Sequence, residues 1–508
     1  MTNSKQIKNF INRINIEDAL YFGAFLLGLV LRFKDLSRIP LNDNEAELAL
    51  AALREIPLNN TFSQPLLLLL AKAMFFIFGT SNFSMRFWPA IIGSMLVITP
   101  MLYRKLFGRV PAIALAFCFA LDPLLIAASR QVDSRSLAVT MLFASIGFML
   151  SAKPLIAGAL TALSLMCGSS IWLEFSALAI SVGIIYLLSR GRSLVDFPHI
   201  SIKKPDLQRF FTAFSVSLIM FGSYFFTQFK ALNYLSNGFL QFILGWMPLT
   251  ATSISAFQKI FIFISYLPLG IMFIILSMVL VLNHKTIISK FLFVFLGVNI
   301  ILVIVYPSPS ISEMVWLSMA IWLVSAYVIG TRIKNYAICS KGAFPLVLIT
   351  VSLLVYSWFE LLYVQSLMSI NLALNLAIAS VIGGLVLLGL IIILYALGWS
   401  RSQAFRGFFV GLFLFFLILQ VAMSFRAADI GDSGEFEVIS TSYYFKDANL
   451  ISDTLEKLSL WKSGVRNSLN IAIMKESATP SLMWLIRDYK TVLCIDECVL
   501  NDSDADVF

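Results

Sequence analysis

Apolar runs separated by short charged segments fill the chain from residue 18 to residue 424. They lie at 18–33, 65–78, 86–103, 110–128, 136–150, 154–167, 171–189, 210–227, 257–281, 287–306, 311–330, 343–363, 372–398 and 406–424. A membrane-crossing helix needs roughly 17–25 apolar residues, so the pattern predicts an all-α polytopic membrane protein. Basic residues collect on cytoplasmic loops. The segments 104–109, 189–192, 201–209, 283–285, 332–334 and 401–406 are basic and should be cytoplasmic. They fall on one side only if 65–78, which carries Lys72, lies at the membrane surface or dips in and out rather than crossing. An unpaired Lys at mid-bilayer is costly. The expectation is about thirteen spans, with the N-terminus cytoplasmic, the C-terminus extracytoplasmic and the plasma membrane as the location.

After residue 424 the pattern changes. Residues 447–460 read as an amphipathic helix, 470–474 and 491–495 as strands, and Pro480 as a helix start. Strand–helix–strand predicts a small α/β fold. Two domains are expected: a transmembrane domain at 1–424 and a small extracytoplasmic domain at 425–508. Charge follows the same division. Residues 425–508 hold 8 basic and 14 acidic groups, whereas residues 1–424 hold 29 and 14.

Composition narrows the function classes. Of the 508 residues 59% are hydrophobic and 13% charged, which rules out a disordered chain. Two histidines rule out a histidine-built metal centre, and Cys494 and Cys498 have no second pair to complete a zinc set. The Lys and Arg residues sit between spans and form no continuous stripe, so the basic balance does not indicate nucleic acid.

On this topology the polar residues on the outer side carry the chemistry. The loop at 34–85 contains Asp43, Glu45 and Glu47 at the start of a short amphipathic helix reaching Arg54. Acids there are either capping and solvated groups favoured by the helix dipole or a base facing a membrane-bound substrate. They are also the kind of group that holds a divalent cation against a phosphate. The second loop, RQVDSR, holds Arg130, Asp133 and Arg135. Guanidinium forks suit phosphate oxygens, while a salt-bridged interfacial cap is the plain alternative. Trp172, Glu174 and Glu360 near the outer edge are candidates for a substrate groove, although aromatics at that depth ordinarily anchor in the headgroup belt.

Four segments resemble the membrane glycosyltransferases of the GT-C fold, in particular the protein O-mannosyltransferase and lipid A aminoarabinose transferase superfamily: PLNDNEAELALAAL (40–53), the proline-led stretch 64–93, YRKLFGR (103–109) and LDPLLIAASRQVDSRSLA (121–138). The resemblance implies transfer of a sugar from a polyprenyl-phosphate-linked donor to a hydroxyl of a protein, lipid or glycan acceptor at the outer face. It implies a first acid among Asp43 and Glu45, a second at Asp133, and Arg130, Arg135 and Arg86 on the donor phosphate. Any divalent metal ion would fall to Asp43 and Asp133. The sequence departs from the family at one place: Asn44 stands where the family's Asp is expected, with Asp43 one position early and rotated by about 100° on a helix. Two further readings stay open: a catalytically silent relative with an assembly role, and a transporter or flippase of lipid-linked sugars.

Overall fold

The computed structural model describes residues 15–54, 64–188, 204–227, 229, 232–247, 254–281, 287–307, 311–332, 342–366, 371–430, 448–474 and 478–494. The basic clusters expected at 189–192 and 283–285, and both histidines, lie outside these residues.

The chain is a helical, multi-pass membrane protein. Its first part contains α1 (Ile16–Phe33), α2 (Asp43–Arg54), α3 (Pro65–Phe78), α4 (Asn82–Phe107, continuing through a 3-10 stretch), α5 (Arg109–Ala120), α6 (Pro123–Arg130), α7 (Arg135–Leu150), α8 (Pro154–Leu165) and α9 (Ser170–Leu188). There follow α10 (Lys204–Gly222), α11 (Leu232–Leu244), α12 (Ala256–Tyr266), α13 (Pro268–Val281), α14 (Ile287–Val305), a 3-10 turn at Ile311–Glu313, α15 (Met314–Arg332), α16 (Phe344–Ser366), α17 (Asn371–Gly398) and α18 (Arg401–Ala427). Among the described residues seven helices are long and apolar enough to cross a membrane, or nine if each bent pair is one span. The expected thirteen, which already left out α3, exceeds this because α7 and α8 are apolar but short, and because α1 and α10 carry several charges. Helix α3, with 14 residues, is among those too short for a straight crossing. The stretch 228–256, between two of the apolar runs, contains α11.

Two apolar runs expected to be single spans are broken. Helices α12 and α13 meet at 98° around Leu267, because Pro268 removes a backbone donor and cannot continue the helix. Helices α5 and α6 meet at 52°. Asp122 caps α6, accepting from Leu124 N at 2.8 Å and Leu125 N at 3.0 Å, and its second oxygen accepts from Trp322 Nε1 at 2.5 Å. The carbonyls freed at the break also find donors. Leu121 O accepts from Gln420 Nε2 at 3.2 Å and from Ser424 Oγ, both on α18, and Phe119 O accepts from the fully buried Arg32 at 3.1 Å. Backbone irregularity at membrane depth persists only where such partners exist.

Close helix contact needs a glycine at Gly158, where an added Cβ would sit 2.2 Å from Phe210 O of α10. At the C-terminal end, α19 (Ala448–Ser463), β1 (Asn470–Met474), α20 (Pro480–Leu485) and β2 (Lys490–Cys494) build a parallel two-stranded unit in which Ile471 pairs with Thr491. Its small core is Leu455, Leu469, Ile471, Ile473 and Ile486.

Candidate functional site

Helix α2 starts with a reciprocal cap. Asn42 Oδ1 accepts from Glu45 N at 2.9 Å, and Asn42 N donates to Glu45 Oε2 at 3.2 Å, which fixes Glu45 at the third helical position. Arg86 from α4 closes on the same carboxylate at 2.6 Å, and both side chains are almost wholly buried. Arg86 also donates to the carbonyls of Leu36, Ile39 and Pro40, tying down the connection before α2. Across from it, Val132 N donates to Glu45 Oε1 at 2.7 Å. Val132 packs with Leu41, Ala46 and Ala49. The segment 40–54 and the segment 130–135 therefore meet, as one face of the fold requires if they form a single site.

Beside this junction lies a second acid group. Asp133 Oδ1 accepts from Arg135 N at 3.0 Å, and Oδ2 pairs with Arg135 Nη1 at 2.5 Å. The guanidinium of Arg135 turns its other edge to Glu313, with Nη2 and Nε at 3.1 and 3.2 Å from Oε1. Glu313 Oε2 in turn accepts from Ser170 Oγ at 2.8 Å, and Trp316 Nε1 donates to Ser170 Oγ at 2.7 Å. Two carboxylates thus flank one guanidinium. An aromatic group adjoins it: Tyr306 lies over Phe242 at 5.8 Å and edge-on to Trp246 at 5.3 Å. Lys259 Nζ donates to the carbonyls of Val303 and Tyr306 at 3.1 and 2.5 Å.

The remaining residues expected from the sequence have distinct places. Asp43 Oδ1 accepts from Ser481 N at 3.1 Å, at the start of α20, so it faces the C-terminal unit. Trp484 of α20 stacks on Phe75 at 5.8 Å and donates to Asn82 at 2.9 Å. Arg130 Nη1 donates to the carbonyls of Leu31, Arg32 and Lys34, closing the end of α1. Each guanidinium expected on a phosphate thus has protein acceptors in this conformation. Trp172 lies edge-on to Phe239 of α11 at 4.8 Å. Glu174 is buried and its Oε2 has no hydrogen-bond partner. Glu360 accepts from Ser380 Oγ at 2.9 Å between α16 and α17, outside both acid groups.

A resident metal does not fit these residues. Among the described residues no three of His, Cys, Asp or Glu converge in a way that could hold an ion. Asp43 and Asp133 are committed to different partners, Ser481 N and Arg135. Sequence reasoning missed Glu313, Ser170 and Lys259. The available signal for Glu313 was a lone acid near the start of an otherwise uncharged apolar run, just after the proline-containing sequence YPSPS.

No protein-family profile matches the sequence, and no curated protein matches it. Solved structures do match. ArnT from Cupriavidus metallidurans bound to undecaprenyl phosphate superposes with a TM-score of 0.59 at 12% identity, covering 92% of this chain and 85% of ArnT. ArnT from the same organism in the apo state gives 0.54 at 12% identity, covering 92% of this chain and 84% of ArnT. With the order of helices, the meeting of the first two polar connections and the C-terminal β–α–β unit already in hand, the likeness over nearly the whole chain assigns the architecture: this chain has the GT-C fold.

Proposed function

We propose that the protein is a glycosyltransferase that moves a sugar from a polyprenyl-phosphate-linked donor to an acceptor hydroxyl at the outer face of the membrane. The observation that carries this reading is the Val132 N to Glu45 Oε1 hydrogen bond, because it brings the two acid-bearing connections to one place. A GT-C fold similar to that of an ArnT bound to undecaprenyl phosphate supports the class of donor.

Four N–H groups occupy the Glu45 carboxylate, so it is a positioning residue that locks the connections. Asp133, whose oxygens each keep a lone pair beyond the bonds to Arg135, is the general base in this reading. It takes the proton of the acceptor hydroxyl as that oxygen attacks the anomeric carbon. The bond from that carbon to the phosphate oxygen breaks with inversion, and Arg135, partly exposed and steadied by Glu313, donates to the departing polyprenyl phosphate. Arg130 and Arg86 shape the surrounding backbone, and the acceptor is a protein, lipid or glycan. The N-terminus is cytoplasmic, and residues 425–508 form an extracytoplasmic domain.

The test is transfer of radiolabelled sugars from synthetic polyprenyl-phosphate donors in membranes containing the protein. Asp133→Asn should lower the rate about 10²–10⁴-fold, the range for a lost general base, with expression unchanged. A rate untouched by Asp133→Asn overturns the assignment of the base. A second reading, a silent relative with an assembly role, draws on the exposed Asn44 at the family's acid position and on the occupied Glu45. Absence of transfer with every donor would favour it.

A further inference from the structure

Beneath the Asp133–Arg135–Glu313 group lies a cavity of about 180 Å3 walled by α7, α9, α14, α15 and the end of α4. Its lining runs along α7 from Val139 to Leu150, roughly 16 Å at 1.5 Å per residue. Leu178, Phe295 and Leu323 are typical of the wall, which is almost wholly apolar. Three lining residues carry polar atoms, and two of those atoms are already used: Tyr103 donates to Phe143 O at 2.6 Å and Trp316 Nε1 to Ser170 Oγ at 2.7 Å. The third is Glu174, with 4% of its surface exposed and Oε2 lacking a partner. Glu174 stands one helical turn below Ser170 on the same face of α9. The polar network thus ends close to the cavity, and Glu174 is one of the residues that line it.

A carboxyl oxygen buried in apolar surroundings without a partner is costly, and an acid at such a place in a membrane protein marks a ligand or a pathway. We propose that this cavity holds the alkyl chain of a membrane lipid bearing a hydroxyl, and that Glu174 accepts the hydrogen bond from that hydroxyl. A bare polyprenyl tail is hydrocarbon throughout and would leave Glu174 unpaired. An ammonium would bring a second charge into the apolar wall, whereas a hydroxyl supplies the missing donor at smaller desolvation cost. The role of this lipid as acceptor rests on the transferase reading; its binding does not.

The experiment is photo-crosslinking of the full-length protein in detergent micelles, with no transfer step. The probes are hexadecan-1-ol carrying a mid-chain diazirine and the matching diazirine hexadecane without the hydroxyl. The wild type should be labelled on α7 and α15, with about a tenfold lower half-saturating concentration for the alcohol, the scale of a hydrogen bond to a carboxyl group. Glu174→Leu should abolish the preference while keeping the labelling, and Leu178→Trp, which fills the cavity from α9, should reduce labelling by both probes. Equal labelling by the two probes in the wild type, or labelling elsewhere, overturns the proposal. So does displacement of the probes by undecaprenyl phosphate but not by unlabelled hexadecan-1-ol. Absence of transfer by the wild type with the alcohol preference intact would overturn the transferase reading and leave the lipid site standing.

Discussion

The Glu45 carboxylate and the Arg86 guanidinium are each nearly removed from water, and each is saturated by hydrogen bonds. Removing one partner of such a pair strands the other. Arg86→Met should therefore lower stability by about 3–5 kcal/mol, read as a fall in the unfolding midpoint of the purified protein. The double change Arg86→Met, Glu45→Leu should recover part of that loss, since no unpaired charge remains, though five backbone groups would lose their bonds. At the break in the α5–α6 pair, Trp322→Phe removes the Nε1 donor from Asp122 Oδ2. The expected cost is about 1–3 kcal/mol, measured the same way. Residue-level legibility was uneven. Glu45, Asp133 and Arg135 stood out because several charges interrupt an apolar sequence within a few positions. Asp122 was hidden as a lone charge in an apolar run and Arg32 as one of several charges at a span's end, and the meaning of each depends on a helix far away in the chain.

At the scale of elements, the helices themselves were readable. Helix α2 spans Asp43–Arg54 and β1 spans Asn470–Met474, both as the periodicity indicates. Breaks were less readable. Leu267–Pro268 carries a proline signal, but a proline also permits a mild kink, and only packing against other helices sets 98°. The direction of Asp43 was not readable at all, because its partner Ser481 lies 438 residues further on. That contact belongs to a larger docking surface in which Trp484, 3% exposed, fills the space between α3 and α4. Trp484→Ala should cost about 3–5 kcal/mol at this junction. Limited proteolysis should then release a C-terminal fragment at protease levels that leave the wild type whole. Asp43→Ala should have a smaller effect, near the 0.5–1.5 kcal/mol of a single hydrogen bond.

For the whole molecule, the proposed orientation makes a prediction independent of chemistry. In a cysteine-free background, a single cysteine at the exposed Trp461 should react with a membrane-impermeant maleimide in intact cells. One at the exposed Lys105 should react only after the membrane is opened. The reverse pattern would overturn the assigned topology. The global fold was legible because apolar run length and basic asymmetry are properties of the entire chain. The exact number of crossings was not, because α3, α7 and α8 are too short to be settled by hydropathy, and their depth depends on neighbours.

The open carbonyl at Leu121 has one more implication. Its donors, Gln420 and Ser424, lie 299 and 303 residues downstream on α18. During synthesis the early half of the protein must therefore wait, with that oxygen unmet, until nearly all the chain has left the ribosome. Stop codons placed between residues 400 and 420 should yield products that membrane quality-control proteases remove, even though α1 to α17 are complete.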